Sequence, residues 1–318
     1  MRRWIGLVIL LVLHGPVLAH DKPFPAAVLA SVVTVLPVRA TERPPRATPS
    51  DLRSQARSGS GVAIRPGGYI ATNAHVIDRA REVYVRLADG RELPATIVAQ
   101  DAATDLAVLK VDAPLPTLEM ASEPAIGAPV CGVGNPFGVG LSVTCGVVSA
   151  VRRTGMGFNP IEDFIQTDAV LNPGSSGGAL VDGEGRLVGL VSAIFTRRSD
   201  ANIGVNFAAS TALLTRVVDD LLAHGTVRRV SAGWRLAPVP RAQRREHAGL
   251  RLISVSPSGA AAKAGFETGD LITAIGGRAV RKRSDAITAV QLQRPGDEVR
   301  ITYRRSGKIE MATWVFAP

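Results

Sequence analysis

The sequence predicts a mainly β protein: two small barrels of about six strands each, packed together, followed by a small α+β module. Three observations predict it. Short runs rich in β-branched residues recur from Gly61 to Ile194, separated by Gly, Pro, Asn and Asp turns. The set repeats after Ala128, as if one barrel followed another. Convincing helical periodicity first arrives after both sets, where Leu213, Leu214, Val217, Val218, Leu221 and Leu222 form one stripe. The chain is 318 residues long, 46% hydrophobic but only 4% aromatic, so its cores must be built of Val, Leu, Ile and Ala.

The N-terminus reads as an export signal: Arg2-Arg3, an apolar run from Trp4 to Leu13, and small residues before a cleavage point after Ala19. The competing reading is a retained anchor. Trp4 to Ala19 as a helix spans about 24 Å, short of the roughly 30 Å hydrocarbon core, and His14, Gly15 and Pro16 interrupt it. Cleavage is therefore preferred.

Ala30 to Val35 reads as the first strand, and Arg39 to Arg57, rich in Pro and Arg and without periodicity, as a long loop. The first set of strands is Gly61–Ile64, Tyr69–Thr72, Glu82–Leu87, Ile97–Ala99 and Leu106–Val111. The second is Pro129–Val133, Leu141–Val151, Phe164–Thr167, Ala179–Val181 and Leu187–Ile194. Ser210 is placed to N-cap the closing helix and Gly225 to end it. The last module holds strands Gly249–Val255, Asp270–Ile275 and Val299–Arg304, with helices at Ser258–Ala264 and Ser284–Leu292.

The net charge of +10 allows an acidic partner. The basic residues are scattered, with few aromatics between them, which argues against nucleic-acid binding and for a solvated basic surface. The two cysteines, Cys131 and Cys145, flank Gly134-Asn135-Pro136-Phe137-Gly138. Pairing across a hairpin and two free thiols both fit. Neither has a metal-ligand spacing, and no cofactor is called for.

The chemistry centres on Asn172-Pro173-Gly174-Ser175-Ser176-Gly177-Gly178. Glycines beside a serine permit a sharp turn and let successive N–H groups converge where negative charge develops. A nucleophilic serine needs a base, and the base an orienting group. Of five histidines, only His75 lies in the strand-dense region. The acid is Asp105, directly before an apolar strand; Asp101 is the competitor, further from it. The chain order is then His75, Asp105, Ser176, the chymotrypsin-like order.

Thr72-Asn73-Ala74-His75-Val76, Thr104-Asp105-Leu106-Ala107, Gly134-Asn135-Pro136-Phe137-Gly138 and Gln166-Thr167-Asp168 through Gly178 resemble the ordered motifs of the HtrA/Deg serine proteases, and Gly249 to Val280 resembles the core of a PDZ domain. The resemblance implies a chymotrypsin/trypsin-like double β-barrel over 20–226, a linker at 227–230 and an α+β PDZ domain over 231–318, behind a signal or anchor at 1–19. It implies Ser176 as nucleophile, His75 as general base, Asp105 as its orienter, and an oxyanion hole from the N–H groups of Gly174 and Ser176. Leu171, Phe195 and Val205 would line an apolar pocket suited to Val, Ala or Ile. Trp234, Arg235 and Leu236 would lie in the PDZ peptide-binding loop, with Leu236 where the family usually has glycine; Ser175 likewise replaces an asparagine. The stretch Arg152 to Asp163 corresponds to a loop that relays the PDZ state. The implied protein is a periplasmic endopeptidase, a homotrimer acting on unfolded or misfolded chains, with C-terminal peptides at its PDZ domain. Two alternatives remain: an anchored signalling protease cutting one regulator, and an inactive chaperone or binding protein.

Overall fold

The computed structural model describes residues 24–39, 58–196, 202–240, 248–257 and 259–316. The Trp4–Ala19 segment, the loop 40–57 and Ser258 lie outside them, as does the side chain of Phe195. A short helix α1 (Ala26–Ser31) precedes β1 (Val32–Arg39), so Ala30 and Ser31 are helical rather than extended. Ser31 Oγ bonds back to Ala27 O at 2.8 Å, the local contact by which serine closes a helical turn.

The first closed barrel contains β1, β2 (Gly59–Arg65), β3 (Tyr69–Asn73), β4 (Ala80–Arg86), β5 (Glu92–Asp101) and β6 (Leu106–Lys110), ordered β1-β2-β3-β6-β5-β4. A single helical turn, α2 (Ala74–Ile77), follows β3. The second contains β7 (Pro129–Gly134), β8 (Ser142–Arg153), β9 (Phe164–Thr167), β10 (Ala179–Asp182), β11 (Leu187–Thr196) and β12 (Asn202–Ser210), in the same cyclic pattern. This is the trypsin-like double barrel.

Period-2 alternation explains why β6 and β10 read as unbroken apolar runs: both of their faces are buried. On β6, Ala107 and Leu109 point into the first barrel, while Leu106 and Val108 join a core that spans both barrels. On β10, Leu180 fills the second barrel, and Ala179 and Val181 face the shared core. Each such Leu or Val contributes about 1.5–3 kcal/mol by leaving water. Helix α3 (Thr211–His224) lays its stripe of Leu213, Leu214, Val217, Val218 and Leu221 on that shared core. Ser210 Oγ accepts the Leu213 N–H at 3.2 Å, and Gly225 ends the helix at φ 71°.

The third unit is a sheet ordered β13 (Trp234–Pro238), β14 (Leu250–Val255), β15 (Leu271–Ile275), β17 (Glu298–Arg305), β18 (Lys308–Val315), with β16 (Arg278–Ala279) paired to β15. Helices α4 (Ala260–Lys263) and α5 (Arg283–Gln291) accompany it. Val299–Arg304 is therefore not the last strand. Ser306 (φ 51°) and Gly307 (φ 80°) turn the chain into β18, which pairs with β17 along its length. Two consecutive positive-φ residues make the tight turn that suits strand twist.

Between β7 and β8 the chain forms an antiparallel hairpin in which Cys131 and Cys145 stand opposite each other and are joined as a disulfide.

Candidate active site

Asp105 sits at the entry to β6 with φ 57°, a left-handed conformation that Asp tolerates better than most residues. From there it grips the end of β3 and the start of α2. Its carbonyl accepts Ala74 N–H at 3.1 Å and Asn73 Nδ2–H at 2.9 Å. Its carboxylate accepts His75 N–H at 2.8 Å and the His75 ring Nδ1 at 2.6 Å. A carboxylate on Nδ1 assigns the proton to that nitrogen and leaves the Nε2 lone pair available as a base. The Asp105 side chain is 14% exposed and that of His75 52%. Asp101, the competing acid, is committed elsewhere: it caps Thr104 and pairs with Arg229 at 2.6 Å.

The serine turn is held by its carbonyls. Asn172 O accepts Ser175 N–H (2.9 Å), Pro173 O accepts Phe137 N–H (2.7 Å), and Ser175 O accepts Gly178 N–H (2.9 Å). Ser60, on β2 of the other barrel, donates its hydroxyl to Gly174 O (2.8 Å) and its N–H to Ser176 O (2.7 Å). Every carbonyl from Asn172 to Ser176 is thus tied to a donor, while the N–H groups of Gly174 and Ser176 find no acceptor among the described residues. Glycine is required twice. Gly174 has φ 98°, and a Cβ there would lie 2.4 Å from Asn135 O; Gly177 has φ 84°, with Ser60 O at 2.1 Å.

The Ser176 hydroxyl points to Ser192 O at 3.4 Å, a long contact, and no hydrogen bond joins it to His75. The two are linked through β11: Asn73 Nδ2 reaches both Ser192 Oγ (3.4 Å) and Asp105 O. Catalytic hydrogen bonds of this kind commonly tighten only when substrate is bound.

Leu171 is 2% exposed and packs inside the second barrel against Gly132, whereas Val205 packs on the shared core. In the third unit, Trp234 turns its ring inward onto Trp314 (centroids 4.4 Å) and Phe266 (5.7 Å), and Leu236 packs on the same core. Arg235 is the exposed one of the three. Their strand, β13, is an edge strand with β14 on one side.

Sequence reasoning singled out no residue within 152–163. The buried Glu162 carboxylate gathers the N–H groups of Met156 (2.5 Å), Gly157 (2.9 Å), Phe158 (2.7 Å) and Asn159 (3.0 Å). On one side the segment touches the Asp105 loop, through Ile161 N–H to Ala103 O (3.0 Å). On the other it meets the third unit. Thr154 Oγ1 donates to Asp285 (2.6 Å), Thr288 Oγ1 to Glu162 O (2.7 Å), and Arg278 pairs with Asp163. The segment ends in two adjacent acids, Glu162 and Asp163, both buried, and nothing local in the sequence announces that burial.

Residues 59–190 match the trypsin-like peptidase domain family, and 202–313 match the PDZ domain family. A probable periplasmic serine endoprotease, DegP-like, of Halomonas elongata is 39% identical over 79% of this chain and 54% of its own length. A probable periplasmic serine protease do/HhoA-like of Haemophilus influenzae is 37% identical over 79% and 56%. The chain thus spans about half the length of the curated relatives it matches. Among solved structures, the HtrA-type protease AlgW with tripeptide superposes with TM-score 0.70 at 34% identity, covering 92% of this chain and 95% of that one. The serine endoprotease from Yersinia pestis superposes with TM-score 0.60 at 32% identity, over 93% and 99%. Those matches run through both barrels and the third sheet, and on them this chain belongs to the HtrA family of trypsin-like serine proteases, with a PDZ domain behind the double barrel.

Proposed function

We propose that this chain is an exported serine endopeptidase that cuts unfolded polypeptides, with Ser176 as nucleophile, His75 as base and Asp105 as its orienter. The observation that carries the reading is the pairing of His75 Nδ1 with Asp105 at 2.6 Å beside a serine turn whose carbonyls are all bonded elsewhere. In the reaction, Ser176 Oγ attacks the scissile carbonyl carbon and its proton passes to His75 Nε2. The carbonyl oxygen becomes an oxyanion facing Gly174 N–H and Ser176 N–H. The C–N bond then breaks, the leaving amine takes the proton from Nε2, and water repeats the sequence on the ester. Asp105 stabilises the imidazolium without itself accepting the proton.

The apolar Leu171 supports cleavage after Val, Ala or Ile. The relatives' descriptions as periplasmic support export, and among the described residues no helix is long and apolar enough to cross a membrane. Structures of the HtrA-type protease AlgW are described with a decapeptide or a tripeptide; that peptide binding and the open side of edge strand β13 support a peptide there as a regulator of the protease. Assembly as a trimer belongs to the same reading and rests on family likeness alone.

The test is cleavage of an unfolded protein by the parent and by Ser176→Ala. The expected loss is on the order of 10⁶ in kcat, with parental cuts mapping after small apolar residues. Equal activity in both would overturn the assignment, and cuts mapping after Lys or Arg would overturn the pocket.

A further inference from the structure

The β7–β8 hairpin is the wall against which the serine turn is moulded. Its tip carries the Phe137 N–H that holds Pro173 O at 2.7 Å. Because a peptide unit's C=O and N–H point opposite ways, fixing Pro173 O also fixes the direction of Gly174 N–H. Its β8 arm holds the approach to the turn: Thr144 Oγ1 donates to Val170 O (2.6 Å) and Val147 N–H to Asp168 (2.7 Å).

Close approach leaves glycine at two of the six positions of the β7 arm. A Cβ at position 132 would lie 2.4 Å from Leu171 Cδ2, and one at 134 would lie 3.1 Å from Ser175 Cα. Glycines weaken a strand, since they add conformational freedom and supply no packing. Within the same arm, Cys131 is bonded to Cys145, its direct cross-strand partner and the neighbour of Thr144. Cys145 is exposed and Cys131 half-buried, so a dithiol can reach the bond.

We propose that the Cys131–Cys145 disulfide is a positioning element for catalysis: it fixes the glycine-weakened hairpin against the serine turn, and its reduction lowers turnover. The inference rests on the protease reading above. Reduction consumes two electrons and two protons, giving two thiols while a dithiol such as dithiothreitol closes to its cyclic disulfide. An oxidising exported compartment keeps the bond formed.

The test uses the full chain, oxidised and then reduced by dithiothreitol. Reduction is verified by counting two thiols per chain, and the fold by far-UV circular dichroism. The expected result is a fall in kcat of about three- to tenfold, below the roughly 10²–10³ for outright loss of one oxyanion donor, with KM unchanged. The affinity of a peptide boronate, which mimics the tetrahedral state, should weaken by the same factor, and reoxidation should restore both. A purely structural bond would lower the melting temperature and move neither. Cys131→Val/Cys145→Thr, which removes the bond and puts a β-branched cross-strand pair in its place, should show the lowered kcat and boronate affinity of the reduced parent and ignore dithiothreitol. If that variant does not fold, the reduced parent decides alone. Full reduction with unchanged kcat and boronate affinity would overturn this proposal and leave the protease reading standing. An oxidised parent that cleaves nothing would overturn both.

Discussion

At Asp105 one residue fixes three neighbours, holding Asn73 and Ala74 with its carbonyl and the backbone N–H and ring Nδ1 of His75 with its carboxylate. Asp105→Asn keeps the shape but offers an amide N–H where an acceptor is required, which favours the wrong imidazole tautomer. The expected outcome is a loss of about 10⁴ in kcat with KM nearly unchanged, checked by initial rates on a peptide substrate. A loss under tenfold would mean that His75 is oriented by something else. The pairing of His75 with Asp105 was legible because both are ionisable residues set beside apolar strands, in the chain order of one known arrangement. The disulfide was not legible. Two cysteines flanking a turn fit both pairing and isolation, and what separates the two is the register of β7 against β8, which glycine-rich strands encode weakly. Of the residues expected in the pocket, Leu171 packs in the second barrel and Val205 against the shared core, a division that their spacing in the chain does not announce.

At the scale of elements, α3 was readable in full. Its stripe, Ser210 cap and Gly225 stop are local signals, each with its own physical cause. Its grip on the linker was not readable. Arg216 and Asp220 on α3 form an ion pair with both side chains 3% exposed, tied to the linker by Asp220 accepting Arg228 N–H (2.7 Å) and Arg216 donating to Arg228 O (2.6 Å). Burial alone would push the Asp220 carboxyl up. Hydrogen bonds from Arg216 and the Arg228 N–H, with the charges of both arginines, outweigh it and hold the group below the usual carboxylate range. Asp220→Asn should destabilise by about 3 kcal/mol, because it strands a buried guanidinium. The pH dependence of that loss has a definite sign. A carboxyl lowered in the folded state contributes fully above its unfolded value of about 3.9, and that contribution is lost as pH falls through the folded value. The gap in melting temperature between parent and variant should therefore narrow below about pH 4; a gap that stays constant would mean the pair contributes by packing alone. Strand β18 has a local signal of its own: Ser306-Gly307 is a two-residue turn leading from β17 into alternating residues.

At the scale of the whole molecule, the double barrel and the third unit are joined by contacts that no stretch of sequence announces, since their partners lie far apart in the chain. Their weights differ. Asp219 bridges Arg65 and Arg294 with all three side chains more than a third exposed, so it contributes little. The pair of Arg278 with Asp163 is another matter: Asp163 is 1% exposed, and it also accepts the Ser210 hydroxyl (2.6 Å) at the head of α3. The same segment carries Glu162, whose carbonyl takes Thr288 Oγ1 and whose carboxylate organises the loop that touches Ala103 beside the Asp105 turn. Arg278→Ala would leave a buried carboxylate without its cation and loosen the segment at both ends. If this segment couples the third unit to the reaction, as the proposed regulation requires, kcat/KM on a short peptide should fall by about fivefold or more, the lower end of usual coupling energies. A peptide that binds the β13 edge should then change the rate less in the variant than in the parent. Cleavage by trypsin at Arg228 and Arg229 reports undocking independently. Faster nicking there with unchanged peptide hydrolysis would show that the two units dock without communicating, and the regulatory half of the proposed function would fall while its protease half stood.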